Sequence, residues 1–169
     1  EYKIRGTVFN FSIPFKSLFS FYISLKNVII INDKNSKEVK IMEKILITGA
    51  SSGIGEELTR NLANKSKKLF LLARSLDKLS LLKKELEEKF SSLECICMKY
   101  DLTNKNNLEN IVENCDVDLV INCAGFGKIT DFSKLSDKED LDTINVNFIS
   151  PLILTKKFSE KFLQKGQGT

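Results

Sequence analysis

The sequence predicts an α/β fold: a doubly wound parallel sheet of Rossmann type, incomplete, with strand order 3-2-1-4. Three observations carry this. Short apolar runs alternate with amphipathic stretches of helical length, as βαβ units require. A glycine-rich turn, Thr48-Gly-Ala-Ser-Ser-Gly-Ile-Gly55, sits between the first run and the first helix. Right-handed crossovers then put strands one, two and three side by side and return strand four to the other side of strand one. Stopping at a fourth strand leaves an apolar edge open, so the sheet reads as truncated.

The elements follow in order. Lys44–Thr48 is a short apolar run read as a buried parallel strand. Glu56–Asn64 continues as a helix with Leu58 and Leu62 four apart on its inner face. Lys68–Ala73 is the second strand, and Ser75 is placed to cap the helix Leu76–Phe90, whose Leu79, Leu82, Leu86 and Phe90 recur at helical spacing. Glu94–Tyr100 and Asp118–Asn122 are the third and fourth strands, with the helix Lys105–Asn114 between them. Lys138–Gln164 reads as one long helix, kinked near Pro151.

Residues 1–41 do not share this regularity. They carry seven Lys/Arg against three Asp/Glu, whereas residues 42–169 carry nineteen of each. Phe9, Phe11, Phe15, Phe19 and Phe21 follow neither strand nor helix period, and Lys16 and Lys26 interrupt any membrane-length apolar run. Three readings stay open: translated upstream DNA, a disordered or interacting extension, or a membrane-directed segment. The first is favoured, because Lys37-Glu38-Val39 can be encoded as a ribosome-binding sequence ahead of Met42. The domain proper is expected over 42–169.

Composition excludes several function classes. A neutral body without a basic face argues against nucleic acid. With no histidine in the chain, Ser-His-Asp and Cys-His mechanisms are excluded. Cys95, Cys97, Cys115 and Cys123 lack the paired spacing of a zinc site and read as reduced, buried thiols of a cytoplasmic protein. No metal and no membrane partner are expected.

The chemistry lies in the turn and in the strand ends behind it. Gly49, Gly53 and Gly55 permit a tight turn, close approach of backbone N–H groups to a pyrophosphate, and close packing of helix on strand. The helix N-terminus adds its positive dipole end, and the hydroxyls of Thr48, Ser51 and Ser52 suit phosphate and loop hydrogen bonds. At the end of the second strand, an acidic residue would bind the ribose 2′-OH of NAD; here stand Ala73 and Arg74, which favour the 2′-phosphate of NADP (NADPH) over NAD.

Together these motifs resemble the short-chain dehydrogenase/reductase family. Thr48–Gly55, with Ile54 inside it, resembles the family's cofactor fingerprint. Asp101-Leu102-Thr103 resembles its adenine-contacting segment, although Asp101 also suits the N-cap of the third helix. Asn122-Cys-Ala124-Gly125 resembles the Asn-Asn-Ala-Gly motif, with Cys123 in place of the second Asn. There Asn122 is expected to tie strand ends together, while Ala124 and Gly125 let a ribose lie close. Ile144-Asn-Val-Asn-Phe148 resembles the segment holding the family's structural-catalytic Asn, which assigns that role to Asn147.

The resemblance implies hydride transfer between a nicotinamide and a carbonyl or alcohol substrate, in a parent that is a homo-oligomer. It also implies a catalytic Ser and a Tyr-x-x-x-Lys pair, positions that correspond to points beyond Thr169. Tyr2 and Tyr100 are not followed by Lys at the fourth position, and Tyr22, which is followed by Lys26, lies in a stretch without a helical pattern. The chain alone is therefore expected to be inactive. Two alternatives stand beside this reading: a non-catalytic NADP-binding module, and an unstable fragment without function.

Overall fold

A computed structural model describes Phe9–Asn10 and residues 43–128, 130–166 and 168. Other readings of residues 1–41 lie outside the described residues. Five parallel strands form one sheet: β1 (Phe9–Asn10), β2 (Lys44–Thr48), β3 (Lys68–Ala73), β4 (Glu94–Lys99) and β5 (Leu119–Asn122). Their spatial order is β1-β5-β2-β3-β4. For the strands from Lys44 onward this is the predicted 3-2-1-4 arrangement. The edge expected to be open carries a two-residue pairing, Phe9 opposite Ile121 and Asn10 opposite Asn122.

Helices cover both faces: α1 (Gly53–Leu62), α2 (Leu76–Lys89), α3 (Lys105–Asn114), α4 (Asp137–Ile144) and α5 (Ser150–Lys165). Strand alternation divides the apolar side chains between two layers. Ile45, Ile47, Leu69 and Leu71 pack with Leu58, Leu62, Leu79, Leu82 and Leu86 of α1 and α2. Leu46, Phe70, Leu72 and Val120 point the other way, onto Leu108, Ile111, Leu154, Phe158 and Phe162 of α3 and α5. Both faces of β2 and β3 are thus buried, which is why these strands read as continuous apolar runs. Each fully buried Leu, Ile or Phe contributes about 1.5–3 kcal/mol.

Several boundaries differ from expectation for local reasons. Helix α1 starts at Gly53 and ends at Leu62, followed by a 3₁₀ turn at Ala63–Lys65. Phe90 ends α2 rather than belonging to it, because its backbone is extended (φ −130°, ψ 90°). Asp118 precedes β5, where its carboxylate accepts from the N–H groups of Glu43 and Lys44. The long helix is not one α-helix kinked at proline: α4 and α5 are joined by a π-helical segment, Asn145–Ile149. There the Ser150 N–H reaches back to the Asn145 carbonyl, and Pro151 stands in the first turn of α5. Cys95 lies in the α1–α2 layer and Cys97 packs against it, so the two thiols do face one way.

Candidate cofactor site

Strand order reverses at β2: β3 and β4 lie to one side, β5 to the other. The chain segments leaving these strands diverge there, and a crevice opens outside the strands' carboxyl ends. In this molecule it is a cleft of about 310 Å³. Gly49, Ser51 and Ser52 line it from the turn after β2, Leu72–Ser75 and Lys78 from the β3–α2 corner, Tyr100–Leu102 from the end of β4, and Ala124–Phe126 from the loop after β5.

The turn is built by contacts that only glycine allows. Gly49 has φ +71°, and a Cβ there would lie 2.8 Å from the Ala124 backbone. A Cβ on Gly55 would lie 2.3 Å from the Gly49 carbonyl oxygen, so the first turn of α1 packs directly on the loop that precedes it. The N–H groups of Gly49 and Ala50 donate to the Leu72 carbonyl at 2.8 and 3.2 Å, fastening the turn to β3. Beyond them, the first N–H groups of α1 have no intrahelical acceptor, and the N-cap Ser52 supplies no side-chain cap. Uncapped donors and a helix dipole at the mouth of a cleft suit an anion.

Thr48 serves the loop rather than a ligand. It is buried, and its Oγ1 accepts from the N–H groups of Cys123 and Ala124 at 3.1 and 3.0 Å. This fixes the β5 loop against the glycine turn and sets the width of the cleft between them. Ser75 occupies the N-cap position of α2 without a side-chain cap bond and lines the cleft instead. Asp101 does not cap α3, since that role belongs to Asn104, which accepts from the Asn106 N–H at 3.0 Å. Asp101 instead closes its own turn, accepting from the N–H and hydroxyl of Thr103 at 2.9 Å each.

Of the residues predicted to hold a cofactor, Gly49, Ser51, Ser52, Arg74, Asp101, Leu102, Ala124 and Gly125 line the cleft. Gly53 and Ile54 lie at the exposed start of α1, and Gly55 is buried beneath the turn. Asn122 is buried as well. Its Nδ2 donates to Thr155 Oγ1 at 3.3 Å, and its Oδ1 has no partner among the described residues. Its place is that of a brace between β5 and α5, not of a cleft wall.

Asn147 stands behind the cleft wall and holds it. Its Nδ2 donates to the Phe126 carbonyl at 2.8 Å, and its Oδ1 accepts from the Phe126 N–H at 3.0 Å. An α-helical ladder would pair the Asn147 carbonyl with the N–H of residue 151, but that residue is proline and has none. The side chain is thus committed to the loop, and its carbonyl lacks an α-helical donor.

The electrostatics of the cleft are cationic. Arg74 and Lys78 are exposed on its rim, and among the described residues neither has a carboxylate partner. The Arg74 guanidinium carbon lies 5.8 Å over the ring of Phe126. Lys78, Ser75, Tyr100 and Phe126 were not foreseen in the sequence. Lys78 had a readable signal, since it lies in the first turn of the helix that follows Arg74. At the buried thiols of Cys95 and Cys115 and the half-buried thiol of Cys123, desolvation pushes the pKa up to about 12. Such thiols are not nucleophiles at neutral pH. Among the described residues no cluster of His, Cys, Asp or Glu could hold a metal, and no helix is long and apolar enough to cross a membrane.

Comparison with known proteins agrees with this geometry. The short chain dehydrogenase family model matches residues 43–169. An uncharacterised oxidoreductase of Mycobacterium tuberculosis is 30% identical over 131 residues, covering 75% of this chain and 52% of its own length. An NADP-dependent 3-hydroxy acid dehydrogenase of Schizosaccharomyces pombe is 31% identical over 131 residues, covering 73% and 50%. A short-chain dehydrogenase from Sphingobium yanoikuyae, solved with NADPH, superposes with a TM-score of 0.69 at 27% identity, covering 75% of this chain and 51% of that one. The chain spans about half the length of the curated relatives it matches. With the family model matched from the start of β2 to the last residue, the chain belongs to the short-chain dehydrogenase family.

Proposed function

We propose that the protein carrying this chain is an NADP-dependent oxidoreductase acting on a carbonyl or alcohol substrate, and that this chain supplies the cofactor cleft. The observation that carries the reading is Arg74. It stands on the cleft rim directly after β3, free of any carboxylate among the described residues, and Ala73 occupies the place where an acidic residue would repel a 2′-phosphate. When bound, the nicotinamide supplies hydride chemistry. The NADPH complex of the Sphingobium relative and the NADP dependence of the Schizosaccharomyces relative support the same cofactor.

The residues divide the work as follows. The N–H groups of Gly53, Ile54 and Gly55 and the hydroxyls of Ser51 and Ser52 hold the pyrophosphate, and Gly49 keeps the turn open. Arg74 takes the 2′-phosphate. Asp101 and Leu102 border the adenine, and Ala124 and Gly125 leave room for a ribose against the backbone. Asn122 braces β5, and Asn147 fixes the loop while offering its carbonyl to a water of the proton path.

Association of copies is part of the proposal. Leu141, Ile144, Phe148 and Leu152 lie three or four residues apart along α4, the π segment and α5, and each is at least half exposed. Exposed apolar side chains grouped in this way suit a surface that a second copy covers. Phe148→Asp is expected to shift the sedimentation of the whole protein toward monomer; an unchanged mass would remove this part of the reading.

Activity is tested on the whole protein with a panel of ketones and aldehydes, following nicotinamide absorbance. NADPH is expected to be consumed at least tenfold more efficiently than NADH. Failure of both cofactors to bind or react would overturn the assignment, and binding of NADPH without turnover would favour a non-catalytic NADP-binding module.

A further inference from the structure

Phe126 is the only aromatic residue in the loop directly following Asn122-Cys-Ala-Gly125, and it is 37% exposed at the cleft mouth. Its ring and the Arg74 guanidinium approach from opposite sides of the cleft, one carried by β5 and the other by β3. The backbone of Phe126 is held by two hydrogen bonds from one side chain, Asn147, at 2.8 and 3.0 Å. The ring therefore rests on a fixed support, whereas the arginine is a long side chain without an ionic partner among the described residues.

We infer that Phe126 is a positioning residue for cofactor discrimination: its ring is a shelf that holds the Arg74 guanidinium ready for the 2′-phosphate of the adenosine ribose. This rests on the NADP reading above. A guanidinium held over an aromatic ring by cation–π attraction, here with its carbon 5.8 Å from the ring centroid, makes no hydrogen bond to the ring, so its N–H donors stay available for a phosphate to bind in pairs. The shelf and the anion thus use different parts of the same group and do not compete. Ordering the arginine in advance lowers the rotamer entropy lost when the phosphate arrives.

The expected effect is that of one exposed cation–π contact, about 2- to 5-fold in affinity. Equilibrium titration of the whole protein with NADPH and NADH tests it in wild type, Phe126→Leu, Phe126→Tyr and Arg74→Ala, with Phe126→Leu repeated in the Arg74→Ala background. Phe126→Leu should weaken NADPH about 2- to 5-fold and leave NADH unchanged, Phe126→Tyr should retain wild-type discrimination, and Phe126→Leu should have no effect once Arg74 is gone. Equal weakening of both cofactors, no weakening, or persistence of the effect without Arg74 would overturn the shelf. Unaltered NADPH binding in Arg74→Ala would instead overturn the NADP reading itself.

Discussion

The two ends of the sheet treat charge in opposite ways. At the amino ends of the strands, Lys44 and Lys165 share the Asp116 carboxylate, Lys67 pairs with Glu43, and Lys68 pairs with Glu94. At the carboxyl ends, Arg74 and Lys78 face the cleft with no carboxylate in ion-pair contact among the described residues, Asp101 on the same lining being turned to Thr103, and the first amides of α1 are left uncapped. The paired end is satisfied within the chain. The unpaired end keeps its cations and N–H donors for an anion that the chain does not supply, which separates a structural surface from a binding one.

The largest expected effect comes from reversing charge at the unpaired end. Arg74→Glu removes charge-assisted bonds worth about 1.5–3 kcal/mol and adds repulsion, so NADPH should bind at least about 10- to 150-fold more weakly while NADH binding holds. Titration of both cofactors checks this; equal losses would contradict the role given to Arg74. Next comes Gly55→Ala. Its Cβ would press on the Gly49 carbonyl, so a cost of about 1–3 kcal/mol is expected in denaturant unfolding, together with weaker binding of both cofactors. An unchanged midpoint would show that the turn can relax.

A further effect, seen only at alkaline pH, concerns the interior. The thiols of Cys95, Cys115 and Cys123 ordinarily ionise near 9 but are pushed up to about 12 by burial. Protons held more tightly in the folded state mean that this contribution is full below about pH 9 and is lost as pH rises toward 12. Stability measured across that window should fall, and replacing Cys115 by Ala should make the fall shallower. Least of all is expected at the paired end. Asp116→Asn breaks two exposed ion pairs, should cost no more than about 1 kcal/mol, and should leave cofactor affinity unchanged.

Much of this comparison was legible in the sequence because it depends on local rules. Strand order follows from crossover handedness, and the glycine turn follows from spacing between a strand and a helix. Arg74 could be placed because a strand end is a fixed point of the fold. What escaped depends on contacts across the chain. Phe126 gains its place from Asn147 and Arg74, twenty-one and fifty-two residues away. Asp101 was expected at a helix cap because Asp suits that position, but Asn104 lies nearer the helix start and takes it. The π turn beside Asn147 was read as a proline kink. Proline does remove a donor there, but the helix responds by changing its hydrogen-bond register over Asn145–Ile149 rather than by bending alone.

The central claim is that the unpaired end of the sheet selects a 2′-phosphate. It is tested most directly without nicotinamide, by calorimetric titration of the whole protein with adenosine 2′,5′-bisphosphate and with adenosine 5′-phosphate. The bisphosphate should bind at least about tenfold more tightly, as one charge-assisted phosphate contact implies. Equal affinity for the two nucleotides would contradict the account.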